Sequence, residues 1–485
     1  MSKLPCRLLP GRLLPSLLPS LGAALAVLLV PALAQAAEGA PHADGRGLGL
    51  LWVVPFVGML LSIAVMPLAA PQFWHHHFGK VAGFWALVFV VPFALTQGFG
   101  VALYEVLHTL LLEYVPFILL LFALFTVAGG VHIRGNLRGS PGLNTGLLAV
   151  GTVAAGWMGT TGASMLLIRP ILRANDNRKH NVHVVVFFIF LVANIGGSMT
   201  PLGDPPLFLG FLKGVDFFWP TIHLAAPTAL CAVVLLAIFY AYDSYLFRKE
   251  GVARPDPTPD TPFAVEGGVN ILLLGGIVGA VLLSGVWQPG ISLTVYHIEI
   301  ELQNVVRDVL LVAVALLSLK LTSKESRAAN GFSWGPILEV AKLFIGIFIT
   351  IIPAIAILRA GSEGSLAGVV ALVTRPDGAP DNAMYFWITG ALSSFLDNAP
   401  TYLIFFNTAG GDAPNLMGPL AGTLLAISAG AVFMGANTYI GNAPNFMVKS
   451  IAEEAGVKMP SFFGYMAWSC GILVPLFVVV TLIFF

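Results

Sequence analysis

Charge is scarce in this chain. Only 10% of its 485 residues are Asp, Glu, Lys or Arg, where an average soluble domain carries about 25%. That scarcity excludes an ordinary water-soluble globule, because 57% of the residues are hydrophobic and too few polar groups remain to cover them. A lipid bilayer is the solvent that suits such a composition. Neither sign of charge dominates: 24 basic residues face 24 acidic ones, so no nucleic-acid partner is indicated. Cysteine is nearly absent. Cys6 follows Lys3-Leu4-Pro5, which is no lipoprotein site, while Cys231 and Cys470 lie in apolar runs and read as core residues rather than a disulfide or metal pair. Also missing are His-Glu-x-x-His, a Ser/Lys pair and Gly-x-Gly-Asp, the signatures an intramembrane protease would need. No enzyme and no cofactor is expected. What the chain has in quantity is Gly, 52 residues, and Pro, 33 residues, which suit membrane helices that break within the bilayer.

The first 36 residues read as a secretory leader. Lys3, Arg7 and Arg12 precede an apolar stretch from Leu21 to Leu33, and Ala34-Gln35-Ala36 supplies small residues at a cleavage point. Apolar segments long enough to span follow at about 48–66, 81–100, 106–130, 184–211, 219–246, 267–288, 304–319, 343–360, 416–448 and 462–485. Two more, about 142–174 and 382–410, are interrupted by polar residues and turn formers, and read as helical hairpins that enter and leave by one side. Lys and Arg concentrate on alternate loops, with Arg134, Arg138, Arg169, Arg173, Arg178, Lys179, Arg248, Lys249, Lys320, Lys324 and Arg327 on the side expected to be cytoplasmic. The asymmetry holds only if both hairpins are re-entrant, the first from inside and the second from outside. A Pro-rich polar stretch, 247–266, divides the chain into halves at 48–246 and 267–485. The expected fold is an all-α polytopic protein of the bacterial inner membrane, built from two inverted repeats, each with a re-entrant hairpin and a broken transmembrane helix.

The halves resemble each other where they are least ordinary. The first hairpin breaks at Gly159-Thr160-Thr161-Gly162-Ala163-Ser164, and about 40 residues later comes Asn194-Ile195-Gly196-Gly197-Ser198-Met199-Thr200-Pro201-Leu202-Gly203-Asp204-Pro205-Pro206. The second breaks at Leu396-Asp397-Asn398-Ala399-Pro400-Thr401, and about 40 residues later comes Gly435-Ala436-Asn437-Thr438-Tyr439-Ile440-Gly441-Asn442-Ala443-Pro444-Asn445. Backbone freed by such breaks survives in a membrane only where it lines a protein cavity. Its carbonyls, with Asn amides and Thr or Ser hydroxyls, are the oxygen ligands of a small hard cation, while half-helix N-termini at the same place would favour an anion or carboxylate. A charge at mid-bilayer costs about 2.5–3.5 kcal/mol on the lenient insertion scale, yet Asp204 and Asp397 lie in the breaks, one in each half. An Asp there either caps a half-helix or works: ionised it binds a cation such as sodium, and protonated it carries a proton. The hairpin-tip residues Thr160, Thr161, Ser164 and Thr401 complete the candidate substrate site. Elsewhere, Glu105 and Glu113 read as interfacial residues, Arg359 as snorkelling, His75-His76-His77 as an interfacial loop and Trp334 to Leu343 as an amphipathic surface helix.

At these motifs the chain resembles the ion transporter superfamily, and within it the NhaD-type sodium/proton antiporters and the CitMHS-like citrate-transport group. The stretch from Asn194 to Asp204 is similar to the NhaD-type pattern of Asn, paired Gly, Pro and Gly-Asp. Gly203-Asp204-Pro205-Pro206 also resembles a stretch of the melanosomal P protein, and Asp397-Asn398-Ala399-Pro400 resembles the hairpin tip of NhaD and arsenite-efflux relatives. The resemblance implies a scaffold domain and a mobile transport domain moving elevator-fashion, in a homodimer. It implies Asp204 and Asp397 as coupling carboxylates, surrounded by Asn194, Thr200, Asn398, Asn437, Thr438 and Asn442, with sodium and protons as the coupled ions. Di- and tricarboxylate carriers of the superfamily have Ser-Asn-Thr at both hairpin tips. An Asp at that point disfavours an organic anion, so a cation substrate is expected ahead of citrate.

Overall fold

A computed structural model describes residues 41–135, 137–251, 262 and 264–485. The expected leader, 1–36, and the middle of the expected linker lie outside the described residues. The chain enters through α1, Val54–Ala69, then α2, Pro71–Gln97, and α3, Phe99–Ala128, whose centre is one π-helical turn at Leu110–Tyr114. A hairpin follows, α4, Pro141–Met158, and α5, Thr160–Ala174. Next come α6, Val182–Leu191, an irregular break, α7, Pro205–Leu212, and the long α8, Trp219–Glu250.

The second half repeats this order. Two helices, α9, Val269–Val286, and α10, Leu302–Leu321, precede the short α11, Lys324–Ala329. A bent pair comes next, α12, Gly335–Thr350, and α13, Ile352–Arg359, turned by 41° at the join. After the short α14, Ala367–Leu372, the hairpin is α15, Asn382–Phe395, with α16, Asn398–Thr408. Beyond the five-residue α17, Ala413–Met417, the broken helix is α18, Ala421–Met434, and α19, Ala443–Glu454; α20, Phe462–Phe484, closes the chain. Two antiparallel strand pairs edge the bundle: β1, His132–Arg134, with β2, Ala264–Glu266, and β3, Ser292–Val295, with β4, Ile298–Glu301. Among the described residues eight helices are long and apolar enough to cross a membrane, and the bent pair, if it is one span, brings the number to nine.

Burial separates the helices. In the 182–199 window 89% of residues are buried, against 17% along α2. The reason is compositional: α6 reads Val-His-Val-Val-Val-Phe-Phe-Ile-Phe-Leu, apolar around its whole circumference, so it belongs at the centre of the bundle. The hairpins pack crosswise. The second arm of the first hairpin, α5, lies on α19 of the other half, and the second arm of the second, α16, lies on α7. Around this inner group α2 packs on α12, and α10 packs on α3 and α9.

Two sequence readings change. His75-His76-His77 are not in a loop; α2 begins at Pro71 and runs straight through them, with His76 Nδ1 2.8 Å from the Gln72 carbonyl one turn back. Pro at the first helical position already has the required φ and no N–H to satisfy, so the helix starts before the hydropathy rises. Trp334 to Leu343 is not a separate surface helix but the opening of α12. Trp334 stacks on Phe122 at 5.8 Å and Ile337 is buried against α3 and α5 residues.

A buried polar network ties the hairpin base to α8. Arg178 and His183 approach the same Asp243 oxygen at 2.5 and 2.8 Å, and Asn144 donates to the other at 3.0 Å. Asn175 and Asn144 exchange amide hydrogen bonds, and Glu250 lies 3.4 Å from Arg178 Nε. Removing one member of a buried charge pair strands the other. Asp243→Ala is therefore expected to cost about 3–5 kcal/mol, read as a lower thermal midpoint of the detergent-solubilised protein. A midpoint equal to the parent's would show that the network contributes nothing to stability.

Candidate functional site

Both breaks are built by the same local rule. Gly159, at φ +81°, ends α4 and restarts the chain as α5. In the broken helix, Gly203 lets its backbone lie against Gly197; a Cβ there would stand 2.1 Å from the Gly197 oxygen. The Gly203 carbonyl accepts from Thr160 N at 2.8 Å, which brings the hairpin tip to the break. Thr200 Oγ1 donates to the Gly156 carbonyl at 2.5 Å and accepts from Leu202 N at 3.1 Å.

The second half repeats these bonds at a constant spacing of 238 positions, Gly156 to Ser394, Thr200 to Thr438, Leu202 to Ile440. Thr438 Oγ1 donates to the Ser394 carbonyl at 2.5 Å and accepts from Ile440 N at 3.2 Å. A Cβ on Gly441 would stand 2.5 Å from the Gly435 oxygen, as with the Gly203 and Gly197 pair. Asp204 and Asn442 are counterparts in this series, and so are Thr160 and Asn398.

The two breaks meet at Asp204. Its Oδ1 accepts from Thr160 Oγ1 at 3.0 Å and from Asn442 Nδ2 at 3.2 Å; its Oδ2 accepts from Asn398 Nδ2 at 2.5 Å. Three neutral donors from three segments thus converge on one carboxylate that is 1% exposed. Although Asp204 stands at the N-cap position of α7, its side chain makes no capping bond. Asp397 differs. It is the N-cap of α16, where its Oδ1 accepts from Ala399 N at 3.1 Å and its carbonyl accepts from Thr401 Oγ1 at 3.0 Å. Its half-buried side chain therefore does cap a half-helix, and it is the next residue, Asn398, that reaches Asp204. Among the described residues no lysine or arginine pairs with either aspartate.

Further amides lock the crossing. Asn442 Nδ2 also lies 3.1 Å from the Ala193 carbonyl and 3.3 Å from Asn194 Oδ1. Asn194 Nδ2 donates to Asn445 Oδ1 at 2.7 Å, and Asn445 Nδ2 donates to the carbonyls of Gly435 and Thr438 at 2.8 and 2.9 Å. Asn437 donates to Ser394 Oγ at 2.9 Å. Among the described residues of the hairpin tips and breaks, Asn398 Oδ1, Asn437 Oδ1 and Ser164 Oγ are buried with no hydrogen-bond partner. A buried acceptor without a partner is costly, and a bound cation is one group that would remove the cost. Thr160, Asn398 and Asn442 thus meet at Asp204, with Asn194 behind Asn442; Thr200 and Thr438 each fasten the break of their own half, and Asn437 holds the second through Ser394. Thr161 is half-buried, and no hydrogen bond ties it to this cluster. Asn445 and Ser394 were not among the candidates read from the sequence. The signal was there: Asn445 is the polar residue of the first turn after a break, and Ser394 stands 238 positions after Gly156.

Comparison with known proteins places this architecture. Residues 45–485 match the profile of a family described as "Putative citrate transport". An uncharacterised transporter of Mycobacterium bovis is 27% identical over 329 residues, spanning 66% of this chain and 72% of its own. An uncharacterised transporter of Mycobacterium tuberculosis matches to the same extent. With helices enough for a multi-pass membrane protein, and broken helices meeting at a buried carboxylate, the chain belongs to this transport family.

Proposed function

We propose that the protein is a secondary active transporter that exchanges sodium or lithium for protons. The observation that carries this reading is Asp204: a buried carboxylate held by neutral donors, with no basic partner among the described residues, beside the Asn398 oxygen that lacks a donor. The carboxyl holds a proton when neutral and a cation when ionised, so proton and cation compete for one group. The matching hairpins and broken helices support an inverted repeat whose halves meet at a midplane site. The proposal extends to elevator-type movement of the inner helices against the outer ones, in a homodimer of the bacterial inner membrane. The coupled ions, not a bound cofactor, are the small-molecule partners.

The test is dye-monitored proton flux in everted vesicles. Sodium or lithium should elicit proton movement, and the apparent cation affinity should weaken as pH falls, because a protonated site must lose its proton before binding. An affinity that stays flat across the pH range of activity would remove the competition. The second reading is cation-coupled transport of citrate or another di- or tricarboxylate, and the family's description is what favours it. Against it stands the lack of a basic side chain at the crossing to receive carboxylates. Citrate-driven flux with no response to sodium and proton gradients alone would make that reading the correct one.

A further inference from the structure

A cavity of about 870 Å³ lies apart from the Asp204 crossing, walled by α3, the end of α7, the start of α8, the end of α9 and the start of α10. Three side chains on its wall carry buried polar atoms without a partner: Arg307 Nη2, Gln303 Oε1 and Trp219 Nε1. Arg307 is 1% exposed. Its Nε and Nη1 are engaged by Asp308 and Asn304 at 2.9 and 3.0 Å, and its Cζ lies 6.0 Å from the centre of the Phe208 ring. One guanidinium N–H and one indole N–H therefore want an acceptor at the same cavity.

The rim has the opposite sign. Asp216, Glu299 and Glu301 border the cavity with Asp308. A di- or trianion meeting four carboxylates and one guanidinium would be repelled. Exposed apolar residues border it too: Phe218 is 48% exposed, Ile222 71% and Val286 84%. Arg307 stands five residues after the first residue of α10, about 8 Å along the helix axis, near one end of a helix long and apolar enough to span.

We propose that this cavity binds the headgroup of a phospholipid carrying a primary ammonium, a phosphatidylethanolamine. The phosphate accepts from Arg307 and Trp219, the ammonium faces Glu299 and Glu301, and the acyl chains run along Phe218, Ile222 and Val286. A lipid seated there touches the end of α7, the helix that Asp204 precedes, and α10 of the outer group at once.

The test is native mass spectrometry of the purified full-length protein, offered phosphatidylethanolamine, phosphatidylglycerol and phosphatidylcholine in equal amounts. Phosphatidylethanolamine should be retained in preference to both. Arg307→Gln should lower its retention about tenfold, the scale of one lost charge-assisted hydrogen bond. Glu299→Gln, at an exposed position, should narrow the preference over phosphatidylcholine while leaving total lipid retention unchanged. If Arg307→Gln does not yield folded protein, Trp219→Phe keeps an aromatic ring, removes the N–H and should weaken retention severalfold. Equal retention of the three lipids, displacement of bound lipid by citrate, or a variant series that retains phosphatidylethanolamine like the parent would each overturn the proposal.

Discussion

Asp204→Asn is expected to yield a folded, membrane-inserted protein that no longer couples cation movement to proton movement. The fold survives because the substitution changes one acceptor into a donor, and its neighbour can adapt. Thr160 and Asn442 both donate to Oδ1, which an asparagine retains. The group lost is Oδ2, which faces Asn398 Nδ2. Asn398 can turn its amide and present the Oδ1 that has no donor. The ionisable group, by contrast, has no substitute at this point, since its counterpart in the other half is already an amide, Asn442. Cation-driven proton flux should fall to background, a loss of at least about a hundredfold on the scale of removing an essential proton carrier. Yield and thermal midpoint in detergent should stay near the parent's. Normal flux would make Asp204 a structural residue and leave the antiporter reading without a mechanism. Asp397→Asn is the comparison: an asparagine still caps α16 through its side-chain oxygen, so any flux lost there reports on charge rather than on the helix end.

The second large effect belongs to a glycine. Gly203→Ala would place a methyl 2.1 Å from the Gly197 oxygen and 2.8 Å from the Gly197 carbonyl carbon, and neither can swing aside as a side-chain tip could. The break must open. That separates the Gly203 carbonyl from Thr160 N and moves Thr160 away from Asp204. A cost of about 3 kcal/mol or more follows, the upper end for overpacking, with a sharp drop in monodisperse yield and no measurable flux. Gly146→Ala is the matched control, since nothing lies within 4 Å of its Cβ position and it sits inside α4. There alanine should be neutral or stabilising by up to about 1 kcal/mol. Parent-like behaviour of Gly203→Ala would show that the breaks tolerate expansion and are not held by close backbone contact.

The sequence announced the breaks better than it announced their chemistry. Gly159 and the pair Leu396-Asp397 could be found because turn formers interrupt otherwise continuous apolar runs, and both fall at the joins between hairpin arms. The start of α2 was hidden, since the His-rich turn lowers hydropathy without ending the helix. The two aspartates looked equivalent because each stands at a half-helix N-terminus. Which one caps and which one gathers donors is a rotamer and packing outcome, fixed by what the opposite half brings to Asp204. Asn445 escaped notice for the same reason: its partners, Asn194 and the carbonyls of the second break, are brought together only by the crossed packing.

That crossed packing has a consequence for how the site could be exposed. Each hairpin is fastened to its own break through a threonine, Thr200 to Gly156 and Thr438 to Ser394, and the second also to the opposite break through Asn398 and Asp204. Swinging the second hairpin outward alone, as a lid, would strand Asn398 Nδ2, Asp204 Oδ2 and Thr438 Oγ1 in a dry interior at about 1–3 kcal/mol for each orphaned group. A lid opening many times a second would have to meet that cost on every cycle. Turning the fastened unit as one block leaves those bonds intact and moves the cost to its outer boundary, where α5, α7 and α16 meet α3 and α13; there the polar ties include the Arg359 to Asn407 bond between α13 and α16 and the Lys213–Glu113 pair beside α7 and α3.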